Sequence, residues 1–503
     1  MKRIHLIISV VCSSLFMVSC INDVGNEDYL DENDVFPVQI TSIGDDIEIR
    51  QGERLVINPS IVGLNNPQDY EYSWFVTDIN SSSNFVAKRY DIATTKDLDY
   101  EVKLDVGKWR LHFEVIDPKR DVFRRVQTSL TVTATPITLG WFVLKETSEG
   151  KTDFDYVGTN GSQYNDCLGA GGNALEGSPV GMVFQSFGYT FQTFDDEGNS
   201  ILEKEQMCYH VVTNKEMRTF NAQTMQQFYD FDNVFYQKPE TWNPQDIVIC
   251  PYTASYLVND NRVFTYGTGF TTNIGKYGAD KVGHYKLFPK LLNAIYMNAY
   301  GWDMLSGDFY VVGSTNVATL TPTTRLSVLR IPPTDEMIRL LPELSQLLGQ
   351  AAMAITRTAG GEYMLSQVSF TSNMYSVTSY LPIDKDSKLI SAIEGGSSVM
   401  CAPENGNYIY FTVGNQIYGY VNAEGLSNKE RLVAQVPSGE TVSEMKAITT
   451  TDGSVVAILT NSNDGWTLRL YPVQGLGNPE LESEPVKTWR GTGKGQFLMY
   501  RDS

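Results

Sequence analysis

A hairpin of two aromatic-rich strands recurs through the second part of the chain and limits the fold most. The clearest copies are "NYIYFTVGNQIYGYV" at 407–421 and "GSVVAILTNSNDGWTLRLYPV" at 453–473, whose first strands begin about 46 residues apart. Weaker copies begin near Trp141, Cys208, Ile247, Phe309 and Glu362. Repeated units of this length and β pattern are typical of a β-propeller, in which each unit forms one blade.

The number of hairpins sets the expected number of blades. Seven hairpins across residues 136–503 give about 50 residues per unit, which favours seven blades and leaves eight as the alternative. The terminal strands, 139–144 and 496–500, are predicted to share a blade and close the ring. The pair Trp302-Asp303 does not recur once per blade, so the repeat is not of the WD40 type.

Two segments interrupt the hairpin repeat. In "PTDEMIRLLPELSQLLGQ", helix start signals at 333–335 and a stop at Gly349 enclose one apolar helical stripe. The stripe predicts a helical insertion, and its members are Met337, Leu340, Leu341, Leu344, Leu347 and Leu348. A less regular segment at 284–305 is predicted to cover one face of the propeller.

Residues 37–135 read as a separate all-β domain, with a boundary near 133–136. Apolar and polar residues alternate in "YEYSWFV" (70–76) and "KWRLHFEV" (108–115), as in strands with one buried face. About seven short strands in some 100 residues fit an immunoglobulin-like β-sandwich. The paired cysteines of true immunoglobulin domains are missing from this region.

The late strands of this region resemble the polycystic-kidney-disease (PKD-like) domain. That family runs glycine, aromatic, alternating apolar residues, then Val-x-Asp and a turn. The matching positions here are Gly107, Trp109, Leu111, Phe113, Val115 and Asp117. The resemblance implies a spacer or docking module without chemistry of its own. The whole chain is therefore predicted to be all-β, with a PKD-like sandwich at 37–135 and a propeller at 136–503.

The first 19 residues have the pattern of an export signal, with Lys2 and Arg3 before an apolar run. Residues 17–20, Met-Val-Ser-Cys, resemble the lipobox of bacterial lipoproteins, which implies cleavage before Cys20 and lipidation of its sulfur. An ordinary secretory signal with a chance cysteine is the alternative. Several acyl chains on one residue would anchor the protein firmly to a membrane.

An acidic segment follows Cys20. Residues 20–36 contain no lysine or arginine and are predicted to be a flexible tether, with Asp23, Glu27, Asp28, Asp31, Glu32 and Asp34 close together. Acidic residues at this place resemble the signal that sends Bacteroidota lipoproteins to the outer face of the outer membrane. We therefore expect an outer-membrane lipoprotein that faces the cell exterior.

The formal charge excludes one class of partner. Loss of residues 1–19 removes two basic residues and moves the net charge from −20 to −22. A chain this acidic is a poor candidate for nucleic acid, whose phosphates need lysine and arginine. Cysteines 167, 208, 250 and 401 are widely spaced, and isolated buried thiols are favoured over disulfides.

Enzyme motifs are mostly missing from the sequence. There is no Gly-x-Ser-x-Gly, His-Glu-x-x-His or Cys-x-x-Cys motif, so no catalytic residue, metal ligand or cofactor is assigned. His112 and His210 lie within strand patterns and are expected to be structural. Asp153 and Asp155 share one strand face and are the candidates for paired glycosidase carboxylates, against a solvated strand face. "SNDGWT" (462–467) resembles a compressed sialidase Asp box, against a plain Asp-Gly turn.

Binding chemistry is the remaining option. Four aromatic residues stand in loop-like sequence, where they could stack on sugar rings or hold peptide side chains. These candidate ligand-binding residues are Tyr164, Trp242, Tyr300 and Trp302. The alternative is that they pack onto their own propeller.

Lipobox, acidic tether, PKD-like domain and propeller pattern together resemble the PKD-like family lipoproteins of Bacteroidota. The resemblance implies a non-enzymatic accessory of a SusC/SusD-like outer-membrane nutrient importer, which binds oligosaccharide or oligopeptide cargo or docks on the TonB-dependent transporter. It supplies no catalytic residues and no cofactor. The alternatives are a glycan-active surface enzyme, either glycosidase or lyase, and a structural spacer.

Overall fold

The computed structural model describes most of the chain after residue 35. The described residues are 36–64, 66–78, 88–194, 198–250, 254–267, 274–293, 298–314, 319–343, 350–404, 406–450, 453–475 and 479–502. The predicted signal peptide, Cys20 and all of the tether except Phe36 lie outside them.

The chain divides into two compact units. The first takes the described part of Met1–Ile47, with Leu55–Tyr100 and Lys108–Leu130. The second takes Glu48–Arg54, Glu101–Gly107 and Thr131–Ser503. The second unit therefore holds the whole of the predicted propeller.

The N-terminal strands form the predicted all-β domain. A five-stranded sheet has the order β2-β9-β8-β5-β6, and β1 pairs with β4 and β3 with β7. Trp74 is fully buried and stacks on Phe113 at 4.3 Å between ring centroids, so the alternating residues of the two predicted strands do form the core. The strands are β1 (Gln39–Ser42), β2 (Ile47–Arg50), β3 (Arg54–Ile57), β4 (Ser60–Val62), β5 (Glu71–Asp78), β6 (Arg89–Ala93), β7 (Leu98–Glu101), β8 (Gly107–Asp117) and β9 (Val122–Thr133).

The second unit continues with 29 further strands and one α-helix among the described residues. The first half holds β10 (Gly140–Glu146), β11 (Lys151–Gly158), β12 (Gln163–Tyr164), β13 (Leu175–Glu176), β14 (Pro179–Phe194), β15 (Ser200–Thr213), β16 (Met217–Asn221), β17 (Gln227–Tyr229), β18 (Pro244–Cys250), β19 (Ala254–Asn259), β20 (Arg262–Gly267), β21 (Leu287–Asn293), β22 (Asn298–Asp303), β23 (Asp308–Gly313) and β24 (Thr321–Pro322). The second half holds β25 (Thr324–Arg325), β26 (Glu336–Glu343), β27 (Gln350–Arg357), β28 (Tyr363–Thr371), β29 (Met374–Pro382), α1 (Lys388–Gly395), β30 (Met400–Cys401), β31 (Tyr408–Val413), β32 (Gln416–Val421), β33 (Glu430–Gln435), β34 (Thr441–Thr450), β35 (Gly453–Ser462), β36 (Gly465–Pro472), β37 (Lys487–Gly491) and β38 (Lys494–Arg501).

These strands form a seven-bladed propeller, as the hairpin repeat predicted. In the described part of the unit they make seven sheets, whose innermost strands are β14, β18, β21, β26, β30, β34 and β38. Each innermost strand contacts the next one in this order, and β38 contacts β14. The contacts therefore run once around a ring and return to the start.

The two ends of the unit close that ring. Strand β10 pairs antiparallel with β38, with Trp141 opposite Tyr500 and Val143 opposite Leu498. The first blade therefore combines the first and last strands of the propeller, which confirms the predicted pairing of 139–144 with 496–500.

Each blade packs against both of its neighbours through alternating side chains. Because successive side chains of a strand point to opposite faces, one set meets the preceding blade and the other meets the next blade. Within the described residues, seven buried clusters each join two consecutive blades. For example, Phe142 of the first blade packs with Tyr209 of the second, and Leu257 of the third packs with Tyr189 of the second. The aromatic residues of the repeat are therefore mainly interblade core.

The predicted helical insertion at 333–349 is wrong over its described part. Residues Glu336–Glu343 form β26, which pairs with β27, and residues 344–349 lie outside the described residues. The pairing supplies the backbone hydrogen bonds that a helix would otherwise provide. Pro342 suits this edge strand, because proline lacks the N–H that a helix interior needs. The α-helix instead lies at Lys388–Gly395, with Ser387 as its N-cap.

The prediction that residues 284–305 form an irregular segment over one face of the propeller is also wrong. It contains β21 and β22, the first two strands of the fourth blade. Gly301 lies inside β22, where an added Cβ would come within 3.0 Å of Leu287 and Leu291. The glycine therefore marks close packing between neighbouring strands rather than a loop.

Ring closure predicts a contrast between two leucines. Leu498 in β38 is fully buried, whereas Leu432 in β33 is 51% exposed. We expect Leu498→Ala to lower the free energy of unfolding of the propeller by about 2–5 kcal/mol, because it leaves a cavity between the last and first blades. Leu432→Ala should stay within about 0.5 kcal/mol. Urea denaturation measures both, and equal losses would contradict the closed ring.

Candidate functional site

The innermost strands enclose a cavity of about 640 Å³, which we call the central channel. Residues from the inner strands of all seven blades line it. Its volume is within the range of small-molecule binding sites, about 300–1,000 Å³. Much of the wall is apolar and includes Phe184, Phe288, Leu340 and Phe497.

Charged side chains of both signs interrupt the apolar wall of the channel. Four are basic and three are acidic, so a basic excess lies inside a chain whose net charge is −20. Five blades carry these charges, which are Asp246, Lys290, Arg339, Glu444, Lys446, Arg501 and Asp502.

One pair of these charges is satisfied within the wall. The Lys290 ammonium lies 2.8 Å from Asp246 Oδ1, and the backbone N–H of Leu291 donates to Asp246 Oδ2 at 2.9 Å. Burial acts to lower the pKa of Lys290, but the Asp246 carboxylate overcomes this and raises it. The pair joins the third and fourth blades and therefore has a structural role.

Glu444 and Lys446 stand two residues apart in β34 and act electrostatically on each other. Among the described residues, neither charged group makes a side-chain hydrogen bond or a close ion pair. Burial raises the pKa of Glu444, while Lys446 and Lys290 oppose the rise. Burial likewise lowers the pKa of Lys446. Both residues are half-buried and line the cavity, and each carries a charge that stabilises the charge of the other.

The other basic side chains of the channel contact aromatic rings, a hydroxyl group or a backbone carbonyl. Lys446 Nζ lies 4.3 Å from the centre of the Phe497 ring, and the Arg501 guanidinium lies 3.9 Å from that of Phe184. Arg501 also donates to the Tyr209 hydroxyl at 2.9 Å. Arg339 donates to the carbonyl of its neighbour Ile338 at 2.9 Å.

The sequence analysis missed these channel residues. Their signal is a charged residue inside an otherwise apolar strand, as in "VSEMKAI" and "LFPKLL". Such a residue could equally face solvent on an outer strand, so the sequence identifies it only when the innermost strand of each blade is known.

The candidate glycosidase carboxylates lie inside the first blade and not in the channel. Asp155 is fully buried, with Lys145 Nζ at 2.7 Å from Oδ1 and the Trp466 indole N–H donating to Oδ2 at 2.7 Å. Lys145 also lies 2.9 Å from Asp166. Burial acts to lower the pKa of Lys145, and the two carboxylates overcome it and raise the pKa. The predicted solvated strand face is therefore wrong, because both acids point into the protein.

Asp153 holds a backbone loop in place. Its carboxylate accepts from the N–H groups of Leu168 at 2.9 Å and Gly169 at 2.7 Å. Burial raises its pKa to about 7, although these N–H groups act to lower it. The Asp-box-like turn meets the same cluster, because Trp466 of "SNDGWT" is the donor to Asp155. The two features that suggested an enzyme thus form one interblade contact.

The histidines and cysteines have structural surroundings. His210 is buried, and its Nδ1 lies 3.0 Å from the Thr219 hydroxyl, while burial lowers its pKa to about 3. His112 lies 3.0 Å from Thr77 through Nε2, and burial lowers its pKa to about 4. The predicted isolated thiols are confirmed, since the four described cysteines are buried and form no disulfide with one another; they are Cys167, Cys208, Cys250 and Cys401.

We predicted that Tyr300 and Trp302 lie in a loop, and this prediction is wrong. Both lie in β22 and are 2% exposed. Tyr300 stacks on Phe370 at 4.5 Å, and Trp302 meets Phe309 edge-on at 4.9 Å. Their ring faces contact protein because alternate residues of β22 point into the interface with the fifth blade.

Tyr164 and Trp242 are half-buried. Tyr164 lies in the short strand β12 and stacks with Tyr156, with the Arg50 guanidinium 5.3 Å from its ring centre. Trp242 does lie between strands, but it packs on Phe231 and donates its indole N–H to the Thr213 carbonyl at 3.1 Å. The four aromatic residues therefore lie apart from the central channel, and their part in binding stays a prediction.

The described residues contain neither a cluster of metal ligands nor a helix that could cross a membrane. No group of three or more histidine, cysteine, aspartate or glutamate side chains is arranged to hold a metal ion there. In the same ranges, no helix has the length and apolar character that crossing a bilayer requires.

The Trp466–Asp155 hydrogen bond predicts that loss of the indole N–H destabilises the ring. We expect Trp466→Phe to lower the free energy of unfolding by about 1–3 kcal/mol, because a buried carboxylate loses a donor. Trp489→Phe, at a half-buried tryptophan of the same blade, is the matched control and should cost less than half as much. Thermal and urea denaturation measure the difference. An equal loss of unfolding free energy in both variants would show that the Trp466 indole N–H does not contribute to stability.

Asp153 predicts a pH-dependent mutational effect. Its pKa is about 7 in the folded protein and 3.8 ordinarily, so the fold holds this proton more tightly. The proton on Asp153 therefore stabilises the folded state fully below about pH 4, and this stabilisation is lost as the pH rises through about 7. The destabilisation caused by Asp153→Asn should therefore shrink over this range, by up to about 1.4 kcal/mol per pH unit. Leu432→Ala, at an exposed position without a titratable group, should show a difference that does not change with pH. A flat difference for Asp153→Asn would contradict the raised pKa.

Comparisons with solved structures give distant likenesses. A quinonprotein alcohol dehydrogenase-like protein from Bacteroides thetaiotaomicron is 13% identical, with 92% of this chain and 99% of that chain covered and a TM-score of 0.44. Dihydro-heme d1 dehydrogenase NirN is 8% identical, with 84% and 76% covered and a TM-score of 0.33. The WD40 domain of SCAP from fission yeast is 10% identical, with 64% and 74% covered and a TM-score of 0.30. Such scores support no inference about chemistry.

Sequence comparisons identify the N-terminal part of the chain. No curated protein matches this chain. The model of the PKD-like family matches residues 20–179. The match contains the strands whose pattern resembled this domain, and it extends into the first blade. Residues 20–179 of this chain therefore contain a PKD-like domain.

Proposed function

We propose that this protein is a non-enzymatic binding protein that takes its ligand in the central channel. The observation that carries the proposal is the cavity of about 640 Å³, whose apolar wall carries charged side chains of both signs, among them Glu444 and Lys446. A ligand with polar and apolar parts would contact these charges and the apolar wall together. The apolar wall around them would exclude water and strengthen these contacts.

The environment of the two aspartates supports binding over glycoside hydrolysis. A hydrolase of this type needs two accessible carboxyl groups on either side of the scissile bond. Asp153 and Asp155 are 1% and 0% exposed and are engaged by backbone N–H groups, Lys145 and Trp466. They are thus committed to holding the first blade together.

The proposed cellular role rests on sequence features that precede the described residues. The lipobox at residues 17–20 and the acidic tether support a lipid-anchored protein on the outer membrane, facing the exterior. The PKD-like match, which begins at residue 20, supports the same class of surface lipoprotein. We therefore propose an accessory of a SusC/SusD-like importer that presents oligosaccharide or oligopeptide cargo to the transporter.

Lipid anchoring and partnership are tested together. We expect the natural protein to incorporate labelled fatty acid, to fractionate with outer membranes and to co-purify with a SusC/SusD-like pair after gentle detergent extraction. Cys20→Ala should lose the lipid label and membrane retention, and Cys401→Ala, at a buried cysteine, should keep both. Label and retention in the Cys20→Ala variant would refute the anchor. Recovery of the natural protein as a lone monomer would refute the importer partnership.

A further inference from the structure

An exposed apolar loop precedes the innermost strand of the fifth blade. It comprises residues 326–330, between β25 and β26, and we call it the apolar loop. Val328 is 99% exposed, Leu326 59% and Leu329 41%. Single exposed apolar residues are ordinary on a protein surface, whereas a group of them marks a site of interaction. The loop is therefore a candidate contact surface.

Hydrogen bonds hold the apolar loop in this exposed shape. The Arg325 guanidinium donates to the carbonyl groups of Ser327 at 2.6 Å and Val328 at 2.9 Å. Ser327 Oγ donates to the Leu329 carbonyl at 2.6 Å and accepts from the backbone N–H of Val377 in β29 at 2.9 Å. The backbone of the loop is thus fixed, and it presents its apolar side chains to solvent.

Two arginines flank these apolar side chains. Arg325 precedes them and Arg330 follows them, and both residues are exposed. The guanidinium of Arg325 is bound by carbonyl oxygens, which leave its positive charge in place. Among the described residues, no carboxylate forms an ion pair with either arginine. A basic and apolar surface therefore lies on a chain whose net charge is −20.

The size and charge of the apolar loop favour a lipid surface over a protein partner. A stable protein interface takes about 20–30 residues from each side, far more than this loop offers. Insertion of a few apolar side chains into a bilayer needs no matching surface on a partner. Arginines beside the inserted residues add attraction to anionic headgroups. Both parts of the loop, apolar and basic, suit this contact.

We propose that the apolar loop inserts into an anionic lipid surface. Leu326, Val328 and Leu329 then lie at the boundary between headgroups and acyl chains, with Arg325 and Arg330 at the headgroup phosphates. This contact goes beyond the proposed function, because it requires neither a ligand in the channel nor a lipid on the chain. Beside a lipid anchor it would be a second attachment, which holds the fifth blade against the membrane.

Vesicle sedimentation tests the loop by itself, with the chain 21–503, which carries neither the signal nor the lipid. The vesicles are phosphatidylcholine alone and an equal mixture of phosphatidylcholine and phosphatidylglycerol. We expect binding to the mixed vesicles, and binding to phosphatidylcholine alone that is weaker by about tenfold or more. Val328→Ser combined with Leu329→Ser should weaken binding to the mixed vesicles by about tenfold or more. Arg330→Gln should weaken it by about fivefold.

A second exposed apolar pair provides the matched control. Ile201 and Leu202 in β15 are 46% and 42% exposed, and Glu203, Lys204 and Glu205 follow them with a net negative charge. Ile201→Ser combined with Leu202→Ser should leave vesicle binding unchanged. Circular dichroism and urea denaturation should show that all variants keep the natural fold.

Three results would overturn the lipid contact. They are absence of binding to the mixed vesicles, equal binding to both kinds of vesicle, and an equal loss of binding in the two double variants. Sedimentation velocity of the chain without vesicles tests the competing occupant. A dimer that the double variant of the apolar loop separates would assign the loop to contact between two copies instead.

Discussion

The antiparallel pairing of β10 with β38 is the interaction on which the rest of the structure depends. It joins the first and last strands of the propeller in one blade, so seven sheets become a closed ring. The Trp466 indole strengthens the same junction from the seventh blade through Asp155, a carboxylate that Lys145 neutralises. Because the ring is closed, the seven innermost strands are held around one axis.

That geometry creates the central channel and sets its chemistry. An innermost strand has a neighbour in its own sheet on one side only, so its other edge and part of its side chains face the axis. Most apolar side chains of the innermost strands pack against the adjoining blades, as the seven interblade clusters show for the described residues. The charged ones instead face the channel. Glu444 and Lys446 lie there as a half-buried pair of opposite charges that lines the cavity.

The propeller could be predicted from the sequence because its repeat is strong and local. Each hairpin carries its own alternation and turn, and the spacing of the hairpins gives the number of blades. The PKD-like domain could be predicted for the same reason, from the alternation around Trp109 and Phe113. The helix at 333–349 was a false prediction because a short apolar run satisfies helical and strand spacing equally. Pairing with β27, a contact absent from the local pattern, decides the outcome.

The candidate site could not be predicted in the same way. Tyr300 and Trp302 were placed in a loop because Gly301 separates them, whereas the glycine is needed for packing against Leu287 and Leu291. Asp153 and Asp155 have the spacing of catalytic acids but lie against Leu168 and Lys145, which the fold brings to them. The channel charges come from five blades, so the sequence alone does not show that Asp246, Lys290 and Glu444 line the same cavity.

The central claim is that the central channel is the ligand-binding site of this protein. Calorimetric titration of short peptides and oligosaccharides against the natural protein and against Glu444→Gln and Lys446→Gln tests it most directly, because both residues line the channel. The account predicts that at least one probe binds the natural protein and that the channel variants weaken its binding, whereas Lys494→Gln, at an exposed position, leaves it unchanged. Binding that the channel variants leave unchanged, or no binding of any probe, would contradict it.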